Sequence, residues 1–172
     1  MRGLGVVAAA AALTACSSTN EAVNQALIEG AVGGIVATDC KIGRSRYWAA
    51  NATVPVNEIS FRIVMTNVSS KPVTLSGDNF ATTLDGTPIP PFNFSARDVG
   101  DADIWRTYDS LTIRPGEERS VALAYEISQS TYDSWYKSSR TVAVSFTCGN
   151  QRVTYTKNSR SDEITVSDIE TL

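Results

Sequence analysis

The amino-acid sequence predicts an all-β protein, an antiparallel β-sandwich preceded by a short helical or flexible tether. Two observations lead to this prediction. Beyond Thr38, apolar residues in several segments alternate with polar ones, which is the period of a half-buried strand. Turn-forming pairs such as Asp85-Gly86 and Gly149-Asn150 separate these segments. Several short strands with regular turns and little helical pattern are typical of an antiparallel sandwich.

The chain begins with a short apolar segment that ends at a cysteine. Residues 1–16, MRGLGVVAAAAALTAC, contain one basic residue, Arg2, followed by an uncharged apolar run and small residues. This pattern is typical of a secretory signal peptide. The apolar run is shorter than the roughly 20 residues that a membrane-spanning helix needs. We therefore predict export rather than a transmembrane span.

The stretch Leu13-Thr14-Ala15-Cys16 resembles the lipobox of bacterial lipoproteins, which is cleaved before its cysteine. The resemblance implies that residues 1–15 are a signal peptide and residues 16–37 a lipidated tether. Acyl chains such as palmitate on Cys16 would hold the protein in a membrane. Because Ser17 and not Asp follows the cysteine, the resemblance also implies the periplasmic face of the outer membrane. A plain secretory signal and an accidental apolar terminus are the alternatives.

Small residues recur at every fourth position of the predicted tether, at Ala22, Ala26, Gly30 and Gly34. On a helix they would share one face. The pattern resembles the glycine-zipper segments of some envelope proteins, in which small residues allow close helix packing. Each glycine costs about 1 kcal/mol relative to alanine in a helix. We therefore expect a tether or a short helix lying on the domain, with a self-association or membrane-surface element as the alternative.

The predicted domain, residues 38–172, contains three segments with the alternation of core strands: EISFRIVMTN, ERSVALAYEIS and RTVAVSFTC. Their alternating apolar residues are Ile59, Phe61, Ile63 and Met65, then Val121, Leu123, Tyr125 and Ile127, then Val142, Val144, Phe146 and Cys148. Gly149-Asn150 predicts a tight hairpin into the next strand. Residues 128–139 lack the alternation, and a helical turn is predicted there.

The order of several strand-end and turn motifs resembles an Ig-like domain family of unknown function that is common in bacterial lipoproteins and secreted proteins. These motifs are the strand-ending Asn67, Phe80 before the Asp85-Gly86 turn, and Pro115-Gly116-Glu117 before an apolar strand. The resemblance covers residues 58–128 and implies an Ig-like sandwich. It implies no activity, because such folds have many unrelated functions.

Two cysteines remain once Cys16 is assigned to the lipid. In an exported chain, a disulfide between Cys40 and Cys148 is the simplest arrangement. Such a bridge would close a loop of roughly a hundred residues and restrict the unfolded chain. Two buried free thiols are the alternative.

The composition excludes several classes of enzyme. The chain has no histidine, which excludes Ser-His-Asp and Cys-His catalytic arrangements and imidazole zinc sites. Nucleotide-binding glycine motifs are also missing from the sequence. The formal net charge of −3 at pH 7 favours neither nucleic acid nor anionic lipid as a partner. We therefore expect no cofactor and no enzyme activity.

Carboxylates are the remaining candidates for chemistry. Asp98, Asp101 and Asp103 lie close together in a predicted loop. Their oxygens are of the kind that binds calcium, but their spacing is not that of an EF-hand, so a solvated acidic loop is the favoured interpretation and a metal site the alternative. With Asp109 they could also supply the two carboxylates of a glycoside hydrolase, although nothing in the sequence fixes the required separation.

Five aromatic residues lie in two segments without strand alternation: Trp105, Tyr108, Tyr132, Trp135 and Tyr136. Exposed together, they would form a protein-binding or sugar-stacking patch. Packing in the core or at an edge is the alternative.

The expected function is that of a non-catalytic, lipid-anchored envelope protein in the periplasm. Its domain would bind another envelope protein or assist assembly, through an edge strand or the aromatic residues. A small-ligand or glycan-binding module is the alternative, and a hydrolase using carboxylates alone is less favoured.

Overall fold

The computed structural model describes residues 27–100 and 105–172 and confirms the predicted all-β antiparallel sandwich. These residues include thirteen strands, a 3-10 helix and a short α-helix, α1. The strands are β1 Ile35–Tyr47, β2 Val56–Asn67, β3 Val73–Leu75, β4 Phe80–Leu84, β5 Thr87–Ile89, β6 Asn93–Asp98, β7 Arg106–Thr107, β8 Leu111–Ile113, β9 Glu118–Glu126, β10 Thr141–Cys148, β11 Gln151–Asn158, β12 Ile164–Val166 and β13 Glu170–Thr171; the 3-10 helix is Gly77–Asn79 and α1 is Gln129–Ser134.

Several predictions fall on residues that the structure does not describe. The predicted signal peptide, the lipobox with Cys16, the small residues Ala22 and Ala26, and the carboxylates Asp101 and Asp103 lie outside the described residues. Residues 27–29 are helical. Within the two described ranges, no helix is long and apolar enough to cross a membrane.

The strands form two main sheets and one small ribbon, and every pair is antiparallel. Sheet A has the order β1-β2-β9-β6-β7, and sheet B has the order β12-β11-β10-β4-β5, with β13 also pairing with β11. Strands β3 and β8 form the ribbon. The three strands predicted from alternation correspond to β2, β9 and β10. All three are interior strands of their sheets and therefore bury one full face.

The core lies between the two sheets and is rich in aromatic rings. The Phe61 ring of sheet A lies 6.1 Å from that of Phe80 and 5.6 Å from that of Tyr155, both in sheet B. Phe80 in turn lies 5.1 Å from Phe146 and 6.3 Å from Phe94. These tilted ring contacts join the sheets and add to the free energy gained by burying apolar area.

The end of β2 is fixed by the side chain of Asn67, which is fully buried. Its Nδ2 group donates hydrogen bonds of 2.8 Å to the carbonyl oxygens of Lys71 and Ile113. Its Oδ1 atom accepts from the backbone N–H and the hydroxyl of Ser69, at 2.9 and 2.7 Å. The amide therefore uses its two donors and both acceptor lone pairs, as a buried polar group must.

The chain enters β1 through two glycines with left-handed backbone angles, Gly33 at φ 58° and Gly34 at φ 86°. A Cβ atom on Gly33 would lie 2.5 Å from Sγ of Cys148, and one on Gly34 would lie 2.7 Å from Cβ of Ser69. Only glycine fits both the conformation and the space. Gly34 is therefore not part of a helical stripe, and β1 begins at Ile35, within the segment predicted as tether.

Helix α1 confirms the helical turn predicted within residues 128–139. The Ser128 hydroxyl caps it by accepting from the N–H of Thr131 at 3.1 Å, as N-cap residues do. The Tyr132 ring contacts the guanidinium groups of Arg44 and Arg46, at 4.2 and 4.0 Å from the ring centroid. These cation–π contacts hold the helix against β1 at one end of the sandwich.

We predict that Asn67→Ala strongly destabilises the fold. Four side-chain hydrogen bonds would be lost, each contributing about 1 kcal/mol, and their buried partners would be left unsatisfied. The expected decrease in the free energy of unfolding is about 3 kcal/mol, measured by urea titration. Asn150→Ala is the matched control because Asn150 is exposed in the β10–β11 turn, and its effect should stay below about 0.5 kcal/mol. Equal effects of the two substitutions would refute this account of Asn67.

Candidate functional site

Strand β1 forms one free edge of sheet A. A β-bulge between Thr38 and Lys41 bends this strand. Its register with β2 runs from Thr38 opposite Val64 to Lys41 opposite Arg62, so β1 has one extra residue there. Asp39 within the bulge has a φ of 48°. A bulge increases the local twist and redirects side chains, and here Cys40 is partly buried and packs against the core.

An open groove of about 470 Å³ lies between this bent edge and the opposite edge, β12. We call it the edge groove. Most of its lining is apolar, and Thr38, Asp39 and Ser167 are polar residues along it. The apolar lining residues are Val32, Ile35, Ala37, Cys40, Val153, Tyr155, Ile164, Val166 and Ile169.

Val166 shows that the edge groove leaves core-facing surface uncovered. Val166 pairs with Tyr155 in the β11–β12 ladder, and paired residues point to the same side of a sheet. Tyr155 is buried, whereas Val166 is 53% exposed although it faces the same way. Strand β12 has only three residues and pairs with β11. Among the described residues no strand pairs with its other backbone edge, which borders the groove together with the inner side chain of Val166.

The structure corrects the predicted disulfide, because Cys40 and Cys148 are both free thiols. Cys148 Sγ lies 3.8 Å from the carbonyl oxygen of Gly33, near Gln151 at the start of β11. Cys40 lines the edge groove with Tyr155. The two thiols have different neighbours, and no disulfide joins them.

The thiol of Cys40 and the phenol of Tyr155, which line the edge groove, are neutral at physiological pH, and burial makes both harder to ionise. Burial, with a further contribution from the Asp39 carboxylate, raises the pKa of Cys40 to about 12. Burial also raises the pKa of Tyr155, and the Cys40 thiol adds to that rise. A protonated thiol is a poor nucleophile, so the groove is an apolar surface at neutral pH.

The five aromatic residues predicted as one patch lie on different parts of the sandwich. Trp135 is 2% exposed and belongs to the core. Tyr132 and Tyr136 contact Arg44, at 4.2 and 4.6 Å, and Arg44 pairs with the buried Ile59, so this cluster lies on the inner side of sheet A. Tyr108 packs against the core.

Trp105 lies on the outer face of sheet A instead. Its ring contacts the guanidinium groups of Arg62 and Arg97, at 5.6 and 5.0 Å. With the exposed Tyr47 and with Glu58 it borders a depression of about 180 Å³ whose floor includes Ser60 and Ala122. Small-ligand or glycan binding at this outer-face depression stays a prediction.

The acidic residues do not assemble into a metal site within residues 27–100 and 105–172. Asp98 forms an ion pair with Arg119, which also contacts Glu117. The role of Asp98 is therefore structural, because these contacts connect β6 to β9 and to the turn before β9.

Comparisons with known proteins add only distant structural likeness. No protein-family model matches the chain, and no curated protein matches it in sequence. One similar structure is a Bacillus subtilis protein named a "putative lipoprotein", at 10% identity and a TM-score of 0.44; the match covers 76% of this chain but only 38% of the other. An uncharacterized β-sandwich protein from Clostridium difficile shares 15% identity at a TM-score of 0.42, with 72% and 83% of the two chains covered.

A third similar structure is a functionally unknown protein from Listeria monocytogenes. It shares 12% identity at a TM-score of 0.39, and the match covers 66% of each chain. These likenesses are too remote to transfer an activity or a site.

We predict that stability decreases above about pH 9 because of the buried thiols and phenols. Burial raises the folded-state pKa of Cys40 and Tyr125 to about 12, and it also raises that of Cys148. The unfolded cysteines lose their protons near pH 9, so the unfolded state binds fewer protons than the native state as the pH rises from there. Stability from these groups is complete below pH 9 and decreases towards pH 12.

The measurement is the melting temperature between pH 7 and pH 11. Cys40→Ala removes one of the titrating groups, and its melting temperature should therefore fall less between pH 8.5 and pH 11 than that of the parent. Parallel curves for the two proteins would contradict the burial of the Cys40 thiol.

Proposed function

We propose that this chain is a lipid-anchored envelope protein whose sandwich binds an extended segment of another envelope protein in the edge groove. The main support is the uncovered inner side of β12, where Val166 faces the sandwich interior and is 53% exposed. Covering the exposed part of one valine contributes on the order of 1 kcal/mol. A segment that also covered its neighbours in the groove would gain several times that amount before the entropic costs of binding.

An extended segment fits this surface better than a rounded one. The groove runs between two strand edges, and an added strand could hydrogen-bond to the free backbone edge of β12 while its alternate side chains enter the groove. Inward side chains of an added strand would lie beside Ile164 and Val166, which are themselves two residues apart. The spacing of the groove lining therefore matches the two-residue period of a strand.

The proposed anchor is the acylated cysteine at the end of LTAC, with the protein facing the periplasm from the outer membrane. The tether would then hold the sandwich close to the membrane without a spanning helix. This part of the proposal depends on the residues Leu13 to Cys16.

We predict that a photoreactive residue at Thr38 forms a crosslink to a partner protein in intact cells. Thr38 is exposed on the rim of the edge groove. The control position is Thr112, another exposed threonine, in the β3–β8 ribbon. The adduct should disappear with Val166→Asp, which places a charge in the groove, and persist with Thr165→Asp, on the outward side of the same strand.

Both aspartate variants must retain the melting temperature of the parent for this comparison. Crosslinks of equal yield from Thr38 and Thr112, or crosslinks from Thr38 that Val166→Asp leaves unchanged, would exclude the edge groove as the binding surface.

We also predict that Cys16→Ala releases the protein from the membrane fraction, because the acyl chains supply the membrane affinity. Cell fractionation and the intact mass of the mature chain are the measurements. Cys40→Ala is the control and should remain in the membrane fraction with an unchanged acyl mass. A parent protein found without lipid on Cys16 would refute the anchor and leave the groove proposal unaffected.

A further inference from the structure

Carboxylates border the edge groove. Asp39 lines it at the β1 bulge, and Glu163 and Asp168 are exposed residues that flank β12 and its continuation. Asp162 precedes them in the same exposed stretch. Of these carboxylates only Asp39 lines the groove; the other three lie on the exposed stretch next to its lining residues, so negative charge flanks the apolar floor on the β12 side.

Two lysines approach the edge groove: Lys41 beside Asp39, and Lys157, which pairs with the groove residue Ile164 and keeps its charge because its Nζ donates to a neutral carbonyl. Asp39 lies 3.5 Å from Lys41, but both side chains are mostly exposed, so solvent weakens their attraction. Lys157 directs its Nζ to the carbonyl oxygen of Ile42 at 3.0 Å. In the described part of the chain, Asp162, Glu163 and Asp168 make no ion pair. Their charge is available to a bound partner.

Apolar and charged contacts with a bound strand would lie on opposite faces of β12. Ile164 and Val166 face the groove, whereas Glu163 and Thr165 alternate with them and face outward. A strand placed beside β12 would thus have every second side chain over the apolar floor and the side chains between them beside Glu163. Opposite charges on neighbouring strands stabilise such pairing.

We infer that the segment bound in the edge groove is a basic, extended stretch of the partner, with apolar side chains at alternate positions and Lys or Arg between them. This inference rests on the proposed function and specifies the chemistry of the partner. The apolar side chains lie over Val166 and its neighbours, and the cations lie beside Asp39, Glu163 and Asp168. A symmetric dimer that places one groove against another fits less well, because both grooves carry the same flanking carboxylates.

The test uses the complete chain with Cys16→Ala and three capped nine-residue peptides. The first alternates Val and Lys, the second alternates Val and Glu, and the third has the composition of the first with the lysines grouped together. Fluorescence anisotropy at low and at high salt gives the dissociation constants. Sedimentation velocity reports whether the chain self-associates.

We expect the alternating Val/Lys peptide to bind at least tenfold more tightly than the other two, and more weakly at high salt. Glu163→Gln with Asp168→Asn should weaken its binding about three- to tenfold, whereas Asp78→Asn with Asp109→Asn, a matched pair of charge removals elsewhere, should change it less than twofold. Val166→Asp places a charge on the apolar floor and should raise the dissociation constant of this peptide tenfold or more.

Several results would overturn the inference. If the Val/Glu peptide bound equally well, or if the rim substitutions had no effect, the bound segment would not be basic. The Thr38 crosslink would then still support the edge groove as the binding surface. Binding that Val166→Asp leaves unchanged would place the peptide elsewhere. Self-association that Val166→Asp removes would assign the groove to a second copy. No peptide binding together with no Thr38 crosslink would refute both the inference and the proposed function.

Discussion

The buried amide of Asn67 is the constraint on which much of this sandwich depends. It joins the end of β2 to the following turn through Ser69 and Lys71, and to the end of β8 through Ile113. Its backbone also exchanges hydrogen bonds with the turn before β9, since Asn67 donates to Glu117 at 3.1 Å and accepts from Gly116 at 2.8 Å. One residue thus fixes where three strands end or begin.

The same junction sets the path of β1 towards the edge groove. The N–H of Val68, the residue after Asn67, donates to the carbonyl oxygen of Gly34 at 2.9 Å. Gly34 packs against Ser69, and Gly33 packs against Cys148 at the end of β10. The beginning of β1 is therefore held by both sheets before the bulge at Asp39 bends the strand. The groove forms because its first wall is fixed and its opposite wall, β12, is short.

The free edges of the sandwich have features that discourage pairing with identical copies. A bulge interrupts β1, and charged residues lie beside β12, two devices by which proteins protect exposed strand edges. Two identical acidic rims repel each other, whereas a cationic segment is attracted to either one. The charges that protect the edge from pairing with an identical copy would thus also favour a basic partner.

The sequence predicts those parts of the structure that depend on local pattern. Alternation identifies β2, β9 and β10 because each buries one complete face, and Gly149-Asn150 predicts the hairpin that joins β10 to β11. The edge groove depends on tertiary placement and is not predicted. Strand β12 is three residues long, although the alternation of Ile164 and Val166 is a weak indication of it, and the β1 bulge has no clear sequence pattern.

Two predictions about side chains, the disulfide and the single aromatic patch, differ from the structure for a common reason. The predicted disulfide between Cys40 and Cys148 depends on their number and on the predicted export, neither of which fixes their positions in the fold, and both thiols are free. The aromatic residues were grouped by their order along the chain, but the two faces of sheet A separate Trp105 from Tyr132. Spacing in sequence does not determine distance where strands from remote segments are neighbours.

The proposed anchor limits where a partner can present its segment. The groove lining begins at Gly30, and the chain from Cys16 to Gly30 spans at most about 50 Å when fully extended. With the lipid on Cys16 in the membrane, the edge groove stays within that distance of the bilayer surface. On this proposal, a partner segment must be exposed within that distance of the membrane.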